Sequence, residues 1–311
     1  MTVELTSFAK VNLGLEVLGR RRDGFHDLRT VFQTIALCDT ILIEETTSSE
    51  VRIRGDDDRI EWDSRNTIAR AFSLFSRRFG KRQGFDVRVK KRIPPGSGLG
   101  GGSGNAAVVL LFLNAYFDVG AGLEDLLPLA AQIGADVPFF LVGGTVLGEG
   151  IGERLTDLSP LPERKLVLVC PPVRVSTALI FSRLRLTSRP IESKIEVFLK
   201  TGNLNALGND LESTTFRLFP EIQKTKEKMA AHGCKWVLMS GSGAAVVCIP
   251  EREGLPGLRR EFPHLIETHT IDRRWYFDHI GAWPSGKASA FGAEIRRFES
   301  SRPRGYSNET E

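Results

Sequence analysis

The sequence predicts an α+β protein of two domains, and three observations support this fold class. Segments with strand-like alternation and segments with helical spacing follow one another without the regular βαβ rhythm of a parallel sheet. At 311 residues the chain is long for a single hydrophobic core. A proline-bearing connector, DLSPLPERK, separates two series of such segments. We therefore expect an N-terminal domain at residues 1–157 and a C-terminal domain at residues 158–271.

The N-terminal domain is predicted to combine strands with three helices. Apolar residues alternate from Val11 to Val17, as in a half-buried strand, and the turn-like segment RRRDGFHD ends that pattern. The residues NTIARAFSLFSRRFG have helical spacing up to Gly80, which predicts a helix at 66–80. The remaining predicted elements are strands in DTILIEE, VRIRG and GFDVRVKKR, helices from about residue 105 to 117 and from 123 to 133, and an extended segment in GADVPFFLVGGTVLGEGIGE.

The C-terminal domain is predicted to alternate strands and helices. KLVLVCPP is typical of a buried strand, and KWVLMSGSGAAVVCIP of two strands joined by a glycine turn. Pro220 and Gly233 lie where a helix in PEIQKTKEKMAAHG would begin and end. The other predicted elements are helices in IESKIEVFLKTG and ESTTFRLF and a last strand in IETHTI.

The composition is that of an ordinary globular protein, with 41% hydrophobic and 26% charged residues. A formal net charge of +4 accommodates a small anionic ligand without indicating nucleic acid or a membrane as partner. The basic runs Arg20–Arg22 and Lys90–Arg92 are interpreted as solvated faces. The four cysteines are far apart and form no Cys-x-x-Cys pair, which favours reduced thiols and a cytoplasmic location.

The stretch from Pro94 to Ala107, PPGSGLGGGSGNAA, is the strongest functional signal. A glycine-rich turn that opens into a helix presents free backbone N–H groups and the positive end of the helix dipole, and both suit a phosphate. The alternative is a plain tight turn with a glycine-packed helix start. Gly96, Gly98 and Gly101 satisfy G-x-G-x-x-G, but the acidic residue of a dinucleotide fingerprint is not found at a following strand end. We interpret the stretch as a phosphate loop of another kind.

This glycine loop resembles the central motif of the galactokinase, homoserine kinase, mevalonate kinase and phosphomevalonate kinase superfamily. The segment AKVNLGLEVLGRRRDGFHDLRTVFQTIALCDTI resembles the opening of the branch that phosphorylates a cytidine-diphosphate-linked methylerythritol in non-mevalonate isoprenoid precursor synthesis. GADVPFFLVGGTVLGEGIGE and MSGSGAAV resemble the later motifs of that branch, in the same order. The likeness runs from about residue 5 to about residue 270.

The resemblance implies a fold, a reaction and partners. The N-terminal half would be like ribosomal protein S5 domain 2, and the C-terminal half would be ferredoxin-like. ATP, accompanied by Mg²⁺, would phosphorylate the 2-hydroxyl of the cytidine-diphosphate-linked substrate. We expect no nucleic acid or membrane partner, and a monomer or weak homodimer. The alternatives are a related kinase with another small alcohol substrate, an NAD-dependent oxidoreductase, and a nucleotide-binding module without catalysis.

By the resemblance, Asp136 in GADVP matches the catalytic aspartate and would accept the hydroxyl proton. Lys10 in AKVN matches the catalytic lysine, whose ammonium would stabilise charge on the moving phosphoryl group. No protein side chain is expected to be a dedicated metal ligand. The alternative for this pair is a structural ion bridge between two strand ends.

The ATP phosphates would be held by the glycine loop, and Asn66 would lie near the adenine, where it is also a typical helix N-cap. Gly104 stands where a second serine is expected, which would weaken a phosphate or metal contact. The loop residues are Pro94, Pro95, Gly96, Ser97, Gly98, Leu99, Gly100, Gly101, Gly102, Ser103 and Gly104.

The substrate would be recognised by Asn12 and by the turn that contains Phe25 and His26. Phe25, where the family usually has tyrosine, would stack on a cytosine, and His26 would address its hydrogen-bonding edge. Phe32 and Phe181 match aromatic positions that close the same pocket, with ordinary core packing as the alternative. His26 alone is more typical of a surface turn.

Residues 272–311 are predicted to be an appended, poorly packed and non-functional tail. The segment GAWPSGKASAFGAEIRRFESSRPR has neither helical nor strand periodicity. Residues Arg296–Ser300 can be encoded by DNA containing GGTTCGAATCC, the T-arm consensus of a transfer-RNA gene. Our hypothesis is that the reading frame continues into such a gene. The alternative is a basic tail that binds nucleic acid.

Overall fold

A long antiparallel hairpin forms the centre of the N-terminal domain. The computed structural model describes residues 1–186 and 192–281. Strands β1 (Thr2–Arg20) and β2 (His26–Thr46) pair along almost their whole length. The other strands are β3 (Val51–Gly55), β4 (Gly84–Lys90), β5 (Thr145–Gly150) and β6 (Arg154–Asp157). The sheet order is β3-β4-β2-β5-β6, with β1 paired to β2, and β3 runs parallel to β4.

The hairpin is much longer than the sequence pattern predicts. The expected strands at 11–17 and 39–45 are only parts of β1 and β2. Register shifts after Phe8, Asn12 and Val17 mark bulges, which bend the hairpin and interrupt the alternation. From Ser7 to Val17 every residue of β1 is buried, because one face packs on helices of its own domain and the other on the C-terminal domain. A strand buried on both faces has no polar side to reveal it.

Four helices cover the N-terminal sheet: α1 (Thr67–Phe79), α2 (Gly101–Tyr116), α3 (Leu123–Ile133) and α4 (Val137–Phe140). As predicted, α1 begins after Asn66, whose side chain accepts a hydrogen bond from the N–H of Ile68, and ends at a left-handed Gly80. Helix α2 begins earlier than expected, because the N–H of Gly104 donates to the carbonyl of Gly100 and closes a turn inside the glycine loop. The prediction of an extended segment at 134–153 is wrong in its first part, because residues Val137–Phe140 form α4, with Pro138 in its first turn.

The C-terminal domain is an antiparallel four-stranded sheet covered by helices. Its strands are β7 (Lys165–Val169), β8 (Cys234–Met239), β9 (Val246–Pro250) and β10 (Ile266–His269), in the order β10-β7-β9-β8. Its helices are α5 (Thr177–Arg183), α6 (Lys194–Thr201), α7 (Glu212–Leu218), α8 (Pro220–Ala231) and α9 (Leu255–Glu261), with a 3₁₀ turn at Leu204–Ala206. Helices α5 and α9, of seven residues each, were not predicted. Within the described ranges, no helix combines the length and apolarity needed to cross a bilayer.

The two domains share a buried apolar cluster. Val11 and Ile35 of the hairpin pack in the same cluster as Leu168, Trp236 and other residues of the C-terminal sheet. The hairpin is thereby fixed against both domains. Buried side chains in the middle of β1, such as Lys10 and Asn12, are thereby held in a defined place.

The chain returns to the N-terminal domain after β10, contrary to the prediction of a loose tail from residue 272. Helix α10 (Arg273–His279) carries Tyr276, which is fully buried and donates a hydrogen bond to the carbonyl of Phe140 at 2.6 Å. The Arg273 guanidinium pairs with Asp157, with Nη1 2.6 Å from Oδ2. Residues 272–281 are therefore part of the folded N-terminal domain, and the rest of the predicted tail lies outside the described residues.

Candidate active site

A buried ammonium and a partly open carboxylate meet beside the hairpin. Lys10 lies in β1 and Asp136 immediately precedes α4. Lys10 Nζ is 3.2 Å from Asp136 Oδ2, and the two side chains are 3% and 35% exposed. Lys10 Nζ also donates to Asn12 Oδ1 at 2.6 Å. The ammonium is thus held in place, while the carboxylate keeps access to the solvent side.

The glycine loop turns tightly against this pair. Gly96, Gly98 and Gly100 have φ angles of 68°, 78° and 73°, which side-chain-bearing residues rarely adopt. The N–H of Lys10 donates to the carbonyl of Leu99 at 3.0 Å, which fastens the loop to β1. A Cβ on Gly100 would lie 3.1 Å from Lys10 Cγ. The backbone of the loop at Gly100 therefore packs closely against the Lys10 side chain.

The glycine loop also forms one wall of a cavity of about 440 Å³, here called the loop cavity. Helix α2 points its N-terminus toward the loop, and the N–H groups of Gly101, Gly102 and Ser103 precede the first bond of that helix. Asn66 lines the same cavity. Among the predicted loop residues, Leu99 and Gly104 do not line it. Such a cavity can receive an anion.

Gly104 is packed inside the protein. A Cβ there would lie 2.8 Å from both the carbonyl of Phe8 and Ser7 Oγ. A serine at this position would require one of those neighbours to move. Local packing therefore accounts for glycine at this position.

Lys91 was missed by sequence reasoning, which interpreted its basic run as a solvated face. Its side chain is 5% exposed and pairs with the fully buried Asp39. Asp39 also accepts hydrogen bonds from the backbone N–H groups of Arg92 at 2.8 Å and Ile93 at 2.9 Å. This network fixes the chain just before the glycine loop, and Lys91 lines the loop cavity.

The turn Ser240–Gly243 between β8 and β9 completes the site from the C-terminal domain. The N–H of Asn12 donates to Ser240 Oγ at 3.1 Å. Asn209 Nδ2 donates to the carbonyls of Met239 at 2.8 Å and Gly241 at 2.7 Å. Asn209 has no recognisable motif, so the sequence offered no signal for it. Its amide keeps the turn folded against β1.

A second cavity of about 560 Å³, here called the hairpin cavity, lies along β1 and β2. Asn12 Nδ2 donates to Thr30 Oγ1 at 2.7 Å, so this amide is directed toward Lys10 and Thr30. The Phe32 ring is 2% exposed and lies 5.4 Å below Lys10 Nζ. The predicted residues on its walls are Lys10, Asn12, Phe25, His26, Phe32, Asp136 and Phe181.

Aromatic rings form the outer end of the hairpin cavity. His26 and Phe181 are stacked, with ring centroids 5.1 Å apart. Phe25 lies in the adjoining turn and is 58% exposed. Burial, and secondarily the positive charge of Arg20, lowers the pKa of His26 below 6.5. Both causes favour the neutral imidazole, which has one donor and one acceptor nitrogen.

The two cavities meet at Gly98, which lines both, next to the Lys10–Asp136 pair. An anionic group held by the loop would thus face a hydroxyl placed in the hairpin cavity. A carboxylate that can accept a proton and an ammonium that can stabilise negative charge lie at that junction. This arrangement suits group transfer between two small molecules.

The fold and this site define a small-molecule kinase of the GHMP class. A family model described as GHMP kinases N terminal domain matches residues 66–144, and one described as GHMP kinases C terminal matches residues 195–262. The 4-diphosphocytidyl-2-C-methyl-D-erythritol kinase of Lachnoclostridium phytofermentans is 40% identical over 79% of this chain and 87% of its own length. The chain belongs to the 4-diphosphocytidyl-2-C-methyl-D-erythritol kinase family.

Further relatives agree with this assignment. The protein of the same name from Pelobacter propionicus is 40% identical over 84% of this chain and 94% of its own length. A crystal structure of 4-(cytidine 5'-diphospho)-2C-methyl-D-erythritol kinase matches with a TM-score of 0.71 and 38% identity over 86% of this chain and 98% of that one. A homoserine kinase from Cytophaga hutchinsonii, at 19% identity and a TM-score of 0.67 over 88% of this chain and 95% of that one, shares the fold. The alternative of an oxidoreductase is thereby excluded.

Proposed function

We propose that the protein transfers the γ-phosphoryl group of ATP to the 2-hydroxyl of 4-diphosphocytidyl-2-C-methyl-D-erythritol. The observation that carries this proposal is the Lys10–Asp136 pair at Gly98, where the two cavities meet. The names of the relatives supply the substrate. The ion pair lines the hairpin cavity, which shares Gly98 with the loop cavity, and a transfer between two bound substrates requires two such adjoining sites.

In this mechanism Asp136 accepts the proton of the attacking hydroxyl. A positioned base of this kind contributes about a hundredfold to ten-thousandfold to the rate. Lys10 stabilises the negative charge on the transferred group, and Asn12 orients Lys10 through the 2.6 Å hydrogen bond. Phosphoryl transfer depends on such positioning and charge stabilisation more than on covalent participation of the protein.

ATP would occupy the loop cavity. Its phosphates would accept hydrogen bonds from backbone N–H groups of residues 96–103, and its adenine would lie near Asn66. Mg²⁺ takes oxygen ligands and usually binds through phosphates with few protein groups. Ser103 could supply one oxygen ligand to Mg²⁺, because it lines the loop cavity and its hydroxyl has no hydrogen-bond partner among the described residues. The bound ion would neutralise phosphate charge.

The cytidyl end of the substrate would occupy the outer end of the hairpin cavity. A cytosine has a flat face for stacking on Phe25 or Phe181 and an edge with both donors and acceptors. Neutral His26 offers one group of each kind to that edge. Phe32 would form the floor beneath Lys10. Loss of the tyrosine hydroxyl at Phe25 leaves stacking intact.

Some expectations from the resemblance stay predictions. The four-stranded antiparallel sheet supports a ferredoxin-like C-terminal half, and the hairpin-centred mixed sheet supports an N-terminal half like ribosomal protein S5 domain 2. We also propose a cytoplasmic location, a monomer or weak homodimer, and a non-functional character for residues 282–311.

The test is ADP release with ATP and the cytidyl substrate, compared with mevalonate and homoserine. In the presence of ATP, we expect the cytidyl substrate to be phosphorylated and mevalonate and homoserine not to be. Asp136→Asn should lose at least about a hundredfold in kcat while still binding ATP, and Lys10→Ala should lose a similar factor. Asp58→Asn, at an exposed aspartate, is the matched control. Full activity in Asp136→Asn would refute the mechanism, and turnover of mevalonate or homoserine would refute the substrate.

A further inference from the structure

The run Arg20–Arg22 contains three arginines in three different settings. Arg21 pairs with Asp23 at 2.9 Å and with Asp27 at 3.2 Å. Arg22 is exposed and lines neither cavity. Arg20 is the last residue of β1 and lines the hairpin cavity beside Phe25 and His26. All three arginines are exposed, as the sequence interpretation of a solvated face predicts, but Arg20 also lines the hairpin cavity.

Arg20 carries the uncompensated positive charge of the hairpin cavity. The ionisable groups on the described walls are Lys10, Asp136, Arg20 and His26. Lys10 is compensated by Asp136 at 3.2 Å, and burial and the charge of Arg20 lower the pKa of His26, which favours its neutral form. Within residues 1–186 and 192–281, no carboxylate pairs with the Arg20 guanidinium. A free guanidinium on a cavity wall attracts an anion and matches the geometry of phosphate oxygens.

The strand register places this charge at the end of the cavity away from the reacting pair. Asn12 is opposite Phe32, Leu15 is opposite Thr30, and Arg20 is opposite His26. The cavity therefore runs from Lys10 and Asp136, through a middle lined by Leu15 and Leu28, to Arg20. A substrate with its hydroxyl at Asp136 and its base at His26 has its linker between these ends. The long arginine side chain can reach a linker from the outer end.

We propose that Arg20 binds the diphosphate linker of the substrate and selects diphosphate-linked cytidyl compounds over uncharged cytidine. This proposal rests on the proposed function, because it takes the hairpin cavity as the cytidyl site. The contact is electrostatic and partly exposed, so it should weaken with added salt. It determines affinity and takes no part in the transfer itself.

The experiment measures inhibition by cytidine, CMP and CDP, each varied against the cytidyl substrate at saturating ATP. In the wild type, CDP should inhibit competitively and about tenfold more strongly than cytidine, as expected for one hydrogen bond to a charged group. Arg20→Gln should remove that preference, leave inhibition by cytidine unchanged, and raise the KM of the substrate about tenfold without changing kcat. Arg22→Gln, the matched control, should behave as the wild type.

The outcomes separate the two proposals. If neither cytidine nor CDP competes with the cytidyl substrate, the proposed function fails. If cytidine competes but CDP is no stronger, or if Arg20→Gln keeps the preference for CDP, the role of Arg20 is refuted while the function stands. A salt series supplies an independent readout, because 0.5 M NaCl should weaken inhibition by CDP and not by cytidine.

Discussion

The hydroxyl of Ser240 donates a hydrogen bond to the carbonyl of Gly98 across 3.1 Å, which joins the C-terminal domain to the glycine loop of the N-terminal domain. The N–H of Ala245 donates to the carbonyl of Ser97 at 2.9 Å, one residue earlier in the loop. The loop is therefore held on one side by β1 and on the other by the turn after β8. The shape of the loop cavity therefore depends on how the two domains pack.

Gly98→Ala should destabilise the protein more than Gly96→Ala. Both glycines have positive φ, so both substitutions carry a backbone cost of about 1 kcal/mol. A Cβ on Gly98 would lie 2.3 Å from the carbonyl oxygen of Ser240, whereas a Cβ on Gly96 has no atom within 4 Å. We expect Gly98→Ala to lose about 2 kcal/mol more in the free energy of unfolding, measured by urea denaturation without ligands. Equal losses would show that the domain contact does not constrain the loop.

Asn209→Asp should unfold the turn Ser240–Gly243. The amide of Asn209 is buried and donates to two carbonyls, and its oxygen accepts from the N–H of Leu211 at 2.9 Å. A carboxylate would face two carbonyl oxygens with no proton to donate. We expect a loss of about 3 kcal/mol in unfolding free energy, with weaker binding of both substrates.

Asn203→Asp is the matched control for that substitution. Asn203 is exposed and caps a 3₁₀ turn by accepting a hydrogen bond from the N–H of Asn205, which aspartate does equally well. Its unfolding free energy should stay within about 0.5 kcal/mol of the wild type. An Asn209→Asp protein as stable as this control would show that the amide does not hold the turn.

The α+β class and helix α1 with its Asn66 and Gly80 ends could be predicted because the determinants are local. A helix cap and a 3.6-residue period depend only on neighbouring residues. The full length of β1 and β2 could not be predicted from the sequence, because these strands are buried on both faces and one of those faces packs on a second domain. Helix α10 was missed for a similar reason. Its seven residues gain their stability from a distant pocket around Phe140.

For the candidate site, the resemblance indicated which residues to examine, and the structure supplied the contacts. Spacing alone gave no reason to place Lys10 beside Asp136, which the fold brings within 3.2 Å. Lys91 and Asn209 have no local motif, and the contacts of each are with residues distant in the chain. Arg20 lies in a recognised turn segment, but that segment does not reveal that Arg20 lines the hairpin cavity. Their exposure and pairing cannot be derived from composition.

Tyr276→Ala should destabilise the N-terminal domain strongly. The ring is fully buried, packs 5.7 Å from Phe8 between centroids, and is hydrogen-bonded to the carbonyl of Phe140. Removal of such a ring costs about 3–5 kcal/mol, and Tyr276→Phe about 1 kcal/mol. Urea denaturation measures the free energy of unfolding of these variants. A chain that ends at Gly281, and so keeps α10, is measured beside them. The shortened chain should match the full chain, and a stability of Tyr276→Ala close to that of the wild type would contradict the assignment of α10 to the core.

The lowered pKa of His26 makes stability depend on pH in a defined direction. The pKa in the folded protein lies below the usual 6.5, so the unfolded chain binds more protons in the window between the two values. The contribution of His26 to the free energy of unfolding is fully present above pH 6.5, the usual pKa in the unfolded chain. It is lost as the pH falls through the lower pKa of the folded protein. We expect the free energy of unfolding to decline on acidification in that range, and His26→Gln to reduce the decline.

Arg20→Gln should raise the pKa of His26 without restoring it to 6.5. Burial is the larger cause of the shift and remains in the variant, whereas the positive charge of Arg20, the smaller cause, is removed. The imidazole shift of His26, followed by NMR from pH 4.5 to 8, measures this directly. Arg22→Gln, which removes a charge from the same turn outside the cavity, should leave the titration unchanged. If Arg20→Gln does not move it, the guanidinium lies too far from the imidazole ring to affect it, and Arg20 cannot line the same end of the cavity.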